Sequence, residues 1–471
     1  MDPDAADQPL RIVQVTKFAV GGGGAERVAM SLHRGLLDRG HRSWIATTTR
    51  DPDDPTLLRI PKRGRRRPGV ASRALRRAGR LAGRHGRPRG AARTIELALT
   101  APGAFIADRR GREVFDYPGT SRIPSLPTEP PDLVHLHNLH GRYFDLRELA
   151  PMSHRLPVVM TLHDEWTFTG HCAYALYGDR WRTGCGSCPD LDVYPAIRRD
   201  GTRANLRAKA DIYARSRLHV ATPSQWLMDR ARDSVLARGV VDWRVIHNGV
   251  DRSIFRPGDR LEARARLGIP AEPIVLLFTA NQARRSPFKD WKTVSEAAER
   301  VAAALDGRPV LCLALGDEGP TRRLPNGELR FVPYRTDLAE VASFYRAADV
   351  YLHAAKAENF PTTILEAMAT GLPVVATAVG GIPEQVRSLE SAPGGWTGAT
   401  VGPDAATGVL VGSGDATGMA QATVAILRDD ATRHRLGANA AHAADRFDLE
   451  RQLDETVAWY REILAERTPP G

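Results

Sequence analysis

No stretch of this sequence approaches the ~18 apolar residues of a membrane-spanning helix. The opening MDPDAADQPL is acidic and polar, without the basic start and apolar core of a secretory leader. Both absences lead us to expect a cytoplasmic protein. Cysteine is scarce: Cys172, Cys185, Cys188 and Cys312 are the only four. Three fall within seventeen positions, a cluster that reads as metal binding or local packing before it reads as a disulfide framework. No aromatic residue occurs between Arg59 and Arg93. No internal repeat with a period of 20–50 residues is visible.

What is present is a globular balance, with 42% hydrophobic and 26% charged residues in a 471-residue chain. That length suffices for two or three domains. The net charge of +11 is unevenly spread. Thirteen arginines and Lys62 lie between Arg59 and Arg93 with no acid among them, so the rest of the chain is slightly acidic.

RIVQVTKFAV (11–20) is an apolar run followed by four glycines. AERVAMSLHRGLLDRG (25–40) has apolar residues at helical spacing, and HRSWIATTT reads as a second strand. Strand, glycine-rich turn, helix and strand open a parallel α/β domain. DLVHLHN (132–138), PVVMTLHD (157–164) and LHVATPS (218–224) add strands. A second round follows NGVDRSIFRPGD (248–259), with strands at 273–280, 309–317, 329–334, 350–355 and 373–381 and helices at 291–305, 337–349 and 362–371. The two rounds predict an α/β chain of two facing, doubly wound, Rossmann-like domains with a cleft between them. We place an N-terminal domain over 1–250 and a C-terminal domain over 251–446. A last helix within 447–471 is expected to cross back to the first.

Residues 51–131 break the rhythm and read as an insertion. Arg73, Arg76, Arg77, Arg80 and Arg84 fall on one helical face, with Leu75, Ala78 and Ala82 opposite. Such a face suits an anionic membrane surface or a lipid-linked diphosphate; a solvated charge run is the plainer reading. Without interleaved aromatics or a known module, nucleic acid is not expected.

The most informative string is Glu358-Asn-Phe-Pro-Thr-Thr-Ile-Leu-Glu366, followed by AMATGLPVVATAVGGIPE. Glu358 falls on the loop after a strand ending near Ala355, where open α/β sheets bind ligands. Thr362 and Thr363 are expected to cap the next helix, whose free N–H groups make a diphosphate seat. Glu366 can accept from ribose hydroxyls and Glu358 from sugar hydroxyls. The plainer alternative is two glutamates flanking a helix start for capping and solubility.

The string resembles the E-x7-E motif of the retaining family 4 glycosyltransferases, which have the GT-B fold. GGGGAERVA (21–29) is similar to that family's first glycine loop and IHNGVDRSIFRP (246–257) to its inter-domain segment. HLHNLHGRYFDL, TLHDEWTFTGHC and TGCGSCPDL resemble a subgroup associated with bacterial polysaccharide clusters. The resemblance implies catalytic roles for His163, Glu358, Lys289 and Arg284. It implies donor contacts from Gly23, Gly24, Asn281, Arg285, Phe360, Pro361, Thr362, Thr363 and Glu366. His163 would donate to the transferred sugar or orient the acceptor. Asn281 stands where strand counting places the family's arginine, whereas Arg284 has the right offset from Lys289. A fixed cation there stabilises a leaving diphosphate. Retention is implied, by a front-face route in which the leaving diphosphate takes the acceptor proton.

His135 and His137 share one face of a strand, and with His140 they read as a metal pair or as acceptor-side or structural groups. Cys172, Cys185 and Cys188, with His171, are three thiols and an imidazole at spacings that suit structural zinc; the position of a fourth cysteine in the subgroup is Gly178 here. The alternative is packed or free thiols.

The resulting expectation is a glycosyltransferase of polysaccharide biosynthesis. It moves a sugar from a nucleotide-sugar donor to a glycan, lipid-linked or small-molecule acceptor, with no required cofactor and no catalytic metal. We expect it in the cytoplasm, peripheral on the inner face of the cell membrane. A GT-B phosphorylase, a sucrose-synthase-like enzyme and a non-catalytic carbohydrate- or nucleotide-binding protein are the alternatives.

Overall fold

The computed structural model of the chain describes residues 8–467 except 20–21, 50, 52, 62–101, 306, 391 and 393–395. The arginine face of 73–84 lies outside the described residues. Two compact units divide the chain. The first runs to Ala221 and takes in Asp229–Arg244 and the residues from Arg461; the second comprises Thr222–Met228 and Val245–Tyr460. The division falls inside the last helix, Leu449–Arg467.

The first sheet is built from β1 (Arg11–Val15), β2 (Arg42–Thr47), β3 (Leu57–Arg59), β4 (Leu133–His137), β5 (Val158–Thr161), β6 (Leu218–Thr222) and β7 (Val240–Val245). Its order is β3-β2-β1-β4-β5-β6-β7. β1 pairs in parallel with both β2 and β4, so the winding reverses there. Loops leaving the carboxyl ends of β1 and β4 therefore diverge and open a crevice. The helix Gly24–Asp38 follows β1 and buries Val28, Ala29, Leu32 and Leu36 at helical spacing.

The second sheet comprises β8 (Ile274–Thr279), β9 (Val310–Leu315), β10 (Arg322–Leu324), β11 (Gly327–Val332), β12 (Val350–His353), β13 (Val374–Thr377), β14 (Ser388–Leu389), β15 (Thr400–Val401) and β16 (Gly408–Val411). Its order is β10-β11-β9-β8-β12-β13-β16-β14-β15. β8 lies between β9 and β12, parallel to both, and marks the second reversal. Alternate residues serve opposite faces. Val275 and Leu277 join one core, while Ile274, Leu276 and Phe278 join the other. Burial on both faces explains why β8 reads as an unbroken apolar run. Each such side chain contributes about 1.5–3 kcal/mol by leaving water. Cys312 belongs to this core, where burial pushes its thiol up to about 12.

The helices 202–213, 260–267, 416–428 and 430–443, and strands β7 and β16, complete the units. Within 51–131, β3, a helix at Pro102–Arg109 and a 3-10 turn at Thr120–Ser125 are formed. Among the described residues no helix is long and apolar enough to cross a membrane.

Candidate active site

Lys289 and Glu358 meet at the reversal of the second sheet. Asp290 caps the helix Trp291–Ala304, accepting from Thr293 N, and so fixes where Lys289 leaves the loop. The Asp290 N–H donates to the Ala354 carbonyl at 3.0 Å and Lys356 N–H to the Phe288 carbonyl at 2.7 Å. These bonds zip the loop after β8 onto the extension of β12, which ends at His353 rather than near Ala355. The Lys289 ammonium then donates to Glu358 Oε2, the two side chains being 20% and 16% exposed. Buried His353 places Nε2 at 3.8 Å from the same oxygen, an electrostatic contact too long for a hydrogen bond. Burial alone would raise the Glu358 carboxyl, but Lys289 and His353 outweigh it and hold the group down at about 2.

The loop from Glu358 to Pro361 is clamped through its backbone. Asn248 Nδ2 donates to the Phe360 carbonyl at 2.9 Å and Gln385 Nε2 to the Pro361 carbonyl at 3.1 Å. Gly381 N–H donates to the Asn359 carbonyl at 2.9 Å, and Ser224 Oγ to Asn359 Oδ1 at 2.5 Å. Gly380, at φ +58°, lies against the Glu358 carbonyl so closely that a Cβ would overlap it.

Here the structure corrects an expectation. Thr362 and Thr363 do not cap the helix Thr362–Ala369; Pro361 occupies the cap position, and the threonines are the first two helical residues. Proline's fixed φ suits that entry. Phe360 is placed in the core, stacked on His247 at 5.0 Å and edge-on to Phe447 at 5.4 Å, so only its backbone borders the loop. Glu366 is 4% exposed and accepts from Tyr345 Oη at 2.7 Å.

Asn281, Arg284 and Arg285 are exposed beyond β8, on a turn that Gln282 enters with φ +50°. The Arg284 guanidinium lies over the Phe331 ring at 4.5 Å and pairs with Asp317 at 3.3 Å. Arg284 therefore arrives with a carboxylate partner, whereas the Arg285 N–H donates to the Gln282 carbonyl at 2.9 Å and its side chain is exposed.

In the first unit Gly23 is the N-cap of the helix Gly24–Asp38, and its N–H donates to Glu26 at 2.9 Å. The Glu26 carboxylate takes that N–H of the glycine loop. His163, two residues beyond β5, places Nε2 at 3.1 Å from His137 Nδ1. Burial is the chief reason that His163 is held down at about 4, with Asp164 opposing and His140 assisting. His135 pairs with Thr161 Oγ1 at 2.7 Å and His140 with Asp164 at 2.8 Å. The histidines of β4 thus have protein partners of their own.

At the cysteine cluster, His171 Nδ1 donates to the Pro195 carbonyl at 3.0 Å, and its Nε2 lies 3.7 Å from Cys188 Sγ. Burial pushes the Cys172 thiol up to about 12 and raises Cys185 and Cys188. Among the described residues no group of three or more His, Cys, Asp or Glu is arranged to hold a metal, so these side chains as placed do not close a four-ligand zinc set.

Several positions escaped sequence reading: Gln14, His353, Tyr345, Asn248 and Gln385. All but His353, whose partner Glu358 is five residues on, act through a partner distant in sequence. The paired glycines 380–381 and the H-x-H of β4 were the available signals.

The family described as Glycosyl transferases group 1 matches residues 259–443, within the second unit. D-inositol 3-phosphate glycosyltransferase 1 of Catenulispora acidiphila is 34% identical over 234 residues, 46% of this chain and 51% of that protein. The putative colanic acid biosynthesis glycosyl transferase WcaC of Escherichia coli K12 is 27% identical over 262 residues, covering 53% and 60%. The chain thus spans about half the length of the curated relatives it matches. Among solved structures, sucrose-phosphate synthase of Thermosynechococcus elongatus superposes with a TM-score of 0.58 at 19% identity, covering 97% of this chain and all of that one. HepE of Anabaena in complex with UDP and glucose gives 0.57 at 17% identity, covering 96% and 99%. The fold is that of two parallel-sheet α/β domains, as in GT-B enzymes.

Proposed function

We propose, from the group 1 glycosyltransferase domain that residues 259–443 form, that this chain transfers a sugar from a nucleoside-diphosphate sugar to an acceptor hydroxyl. The observation that carries the reading is the Lys289–Glu358 pair at the β8/β12 reversal, just ahead of the helix that opens at Thr362. A diphosphate seated on that helix N-terminus would meet the positive end of the helix dipole and the Lys289 ammonium. Glu358, ionised at any physiological pH, would accept from donor sugar hydroxyls, and Glu366 from the ribose. Arg285, and Arg284 once released from Asp317, would add charge to the phosphates; Asn281, Phe360, Pro361, Thr362 and Thr363 would border the donor.

HepE has been solved with UDP and glucose and with UDP-glucose, which supports a uridine-linked donor. We assign donor binding mainly to residues 251–446 and acceptor binding mainly to residues 1–250, with His163 on the acceptor side and Gly23 and Gly24 near the donor diphosphate or the acceptor. The acceptor is a glycan, a lipid-linked sugar or a small polyol. Transfer proceeds with retention, the leaving diphosphate taking the acceptor proton, because the donor site offers cations and dipoles rather than an acid–base pair. The protein's own cations stabilise the diphosphate, so no cofactor is required. The chain acts in the cytoplasm, on the inner face of the membrane. The basic run 59–93 supports this placement.

The test is turnover of a panel of nucleotide sugars with and without EDTA, the product anomer read by NMR, and sedimentation with vesicles. We expect nucleotide release and a retained anomer, unaffected by EDTA. We also expect binding to anionic vesicles that weakens as the Debye length falls from about 10 Å at 0.1 M salt to about 3 Å at 1 M. Activity that depends on inorganic phosphate would make it a phosphorylase; donor binding without transfer or hydrolysis would make it a binding protein. Indifference to anionic vesicles at low salt would remove the membrane placement.

A further inference from the structure

The reversal of the first sheet carries a chain of hydrogen bonds whose direction is set by backbone. Gln14 lies in β1, His137 ends β4 and His163 follows β5; Gln14 and His137 are fully buried. Between His137 Nδ1 and His163 Nε2, 3.1 Å apart, there is room for one hydrogen, which either ring can own. Nothing within the two rings decides ownership.

The helix Gly24–Asp38 decides it. The Gln14 side-chain amide lies 3.2 Å from the Ala29 carbonyl and 3.0 Å from the His33 N–H. A backbone carbonyl only accepts and a backbone N–H only donates. The amide must therefore turn its NH2 toward Ala29 and its oxygen toward His33. The same NH2 lies 3.1 Å from His137 Nε2, which is obliged to accept. His137 then carries its hydrogen on Nδ1 and donates it to His163 Nε2.

We propose that Gln14 and His137 are positioning residues that hold His163 in the tautomer with hydrogen on Nδ1, so that His163 donates through Nδ1 alone. Both rings stay neutral near pH 7. Burial holds His137 well below its ordinary value, helped by His135 and His163, and burial likewise holds His163 at about 4. The consequence for turnover rests on the role proposed for His163; the tautomer does not.

Imidazole nitrogen NMR of the full-length protein tests the tautomer directly. We expect a protonated Nδ1 and a bare Nε2 on His163; the opposite pattern would overturn the proposal. In Gln14→Glu a carboxylate that can only accept faces His137. The hydrogen of His137 must move to Nε2, and His163 must then donate from Nε2. We expect the inverted spectrum, kcat lower by about 10²-fold and donor KM nearly unchanged, as when one preorganised donor is withdrawn. Gln14→Met removes the directing amide without burying a charge and should leave a mixture of tautomers. A single Nδ1–H tautomer in that variant would show that Gln14 directs nothing. An inverted tautomer with full kcat would also refute the positioning role, while leaving His163 itself in place if His163→Ala is inactive. Full activity of His163→Ala would instead sink the role proposed for His163, whatever the spectra show.

Discussion

Glu358 is the side chain on which the donor reading turns, and its environment makes two of its properties separable. The carboxyl is held at about 2 by Lys289 and His353 against the opposing effect of burial. Glu358→Gln keeps the shape, removes the charge and leaves Lys289 unpaired. A diphosphate would then meet a freer ammonium, so donor KM should stay level or fall, while kcat drops about 10²–10³-fold with the loss of a preorganised acceptor. Lys289→Ala works the other way: it leaves Glu358 without its cation and removes charge needed both before and during bond cleavage. Donor KM should rise and kcat fall together. Steady-state kinetics on both variants, with thermal unfolding to confirm folding, separate the roles. Identical effects on KM from the two changes would contradict the assignment.

At the scale of the element, the site depends on one loop, 358–361, being held by partners along its backbone. Gly380 is the least replaceable of these. Its φ of +58° disfavours any β-carbon, and a methyl group would run into the Glu358 carbonyl. Gly380→Ala should therefore push Glu358 out of reach of Lys289. We expect a stability loss of about 1–3 kcal/mol from backbone strain, measured by denaturant unfolding, with activity falling further than stability accounts for. A variant as stable and active as the parent would show that the loop is not clamped there. The GG pair was visible in the sequence, but its function was not, because the atom it makes room for lies 22 residues earlier in the chain. The same holds for Thr362 and Thr363: local chemistry favours hydroxyls as caps, yet Pro361 takes the cap position, because the preceding carbonyls are fixed by Asn248 and Gln385.

For the whole molecule, the buried titratable groups predict that the two units respond differently to acid. In the first unit His33 and His163 are lowered from 6.5 to about 4 and His135 to about 3, chiefly by burial. The unfolded chain binds protons at these sites before the folded one does, so stability is level above pH 6.5 and falls as pH drops from 6.5 toward 4 and below. In the second unit Glu358 is lowered from 4.5 to about 2, so its contribution is intact above 4.5 and is lost between 4.5 and 2. Hydrogen exchange should show protection in β1, β4 and β5 declining more steeply from about pH 6 downward than in β8 and β12, where buried His353 is also lowered but the Glu358 contribution is lost only below about pH 4.5. Equal slopes in both units between about pH 6 and pH 4.5 would contradict this difference.

The sequence by itself determined the alternation of strands and helices, the two rounds of winding and the Glu358–Glu366 string. All of these are written in local periodicity and turn chemistry, over spans shorter than one supersecondary unit. Boundaries drifted by a few residues: β12 stops at His353 because the next residues pair with the loop of Lys289. Tertiary structure alone decided the rest. It set Glu358 against Lys289, 69 residues away, and placed Asp317 on Arg284. It turned Phe360 into the core and seated Gln14 beside His137, 123 residues away. The physical reason is common to these cases. A charge or a hydrogen-bond direction depends on which groups surround it at 3–4 Å, and in a parallel sheet those neighbours come from strands that the chain reaches only after long crossovers.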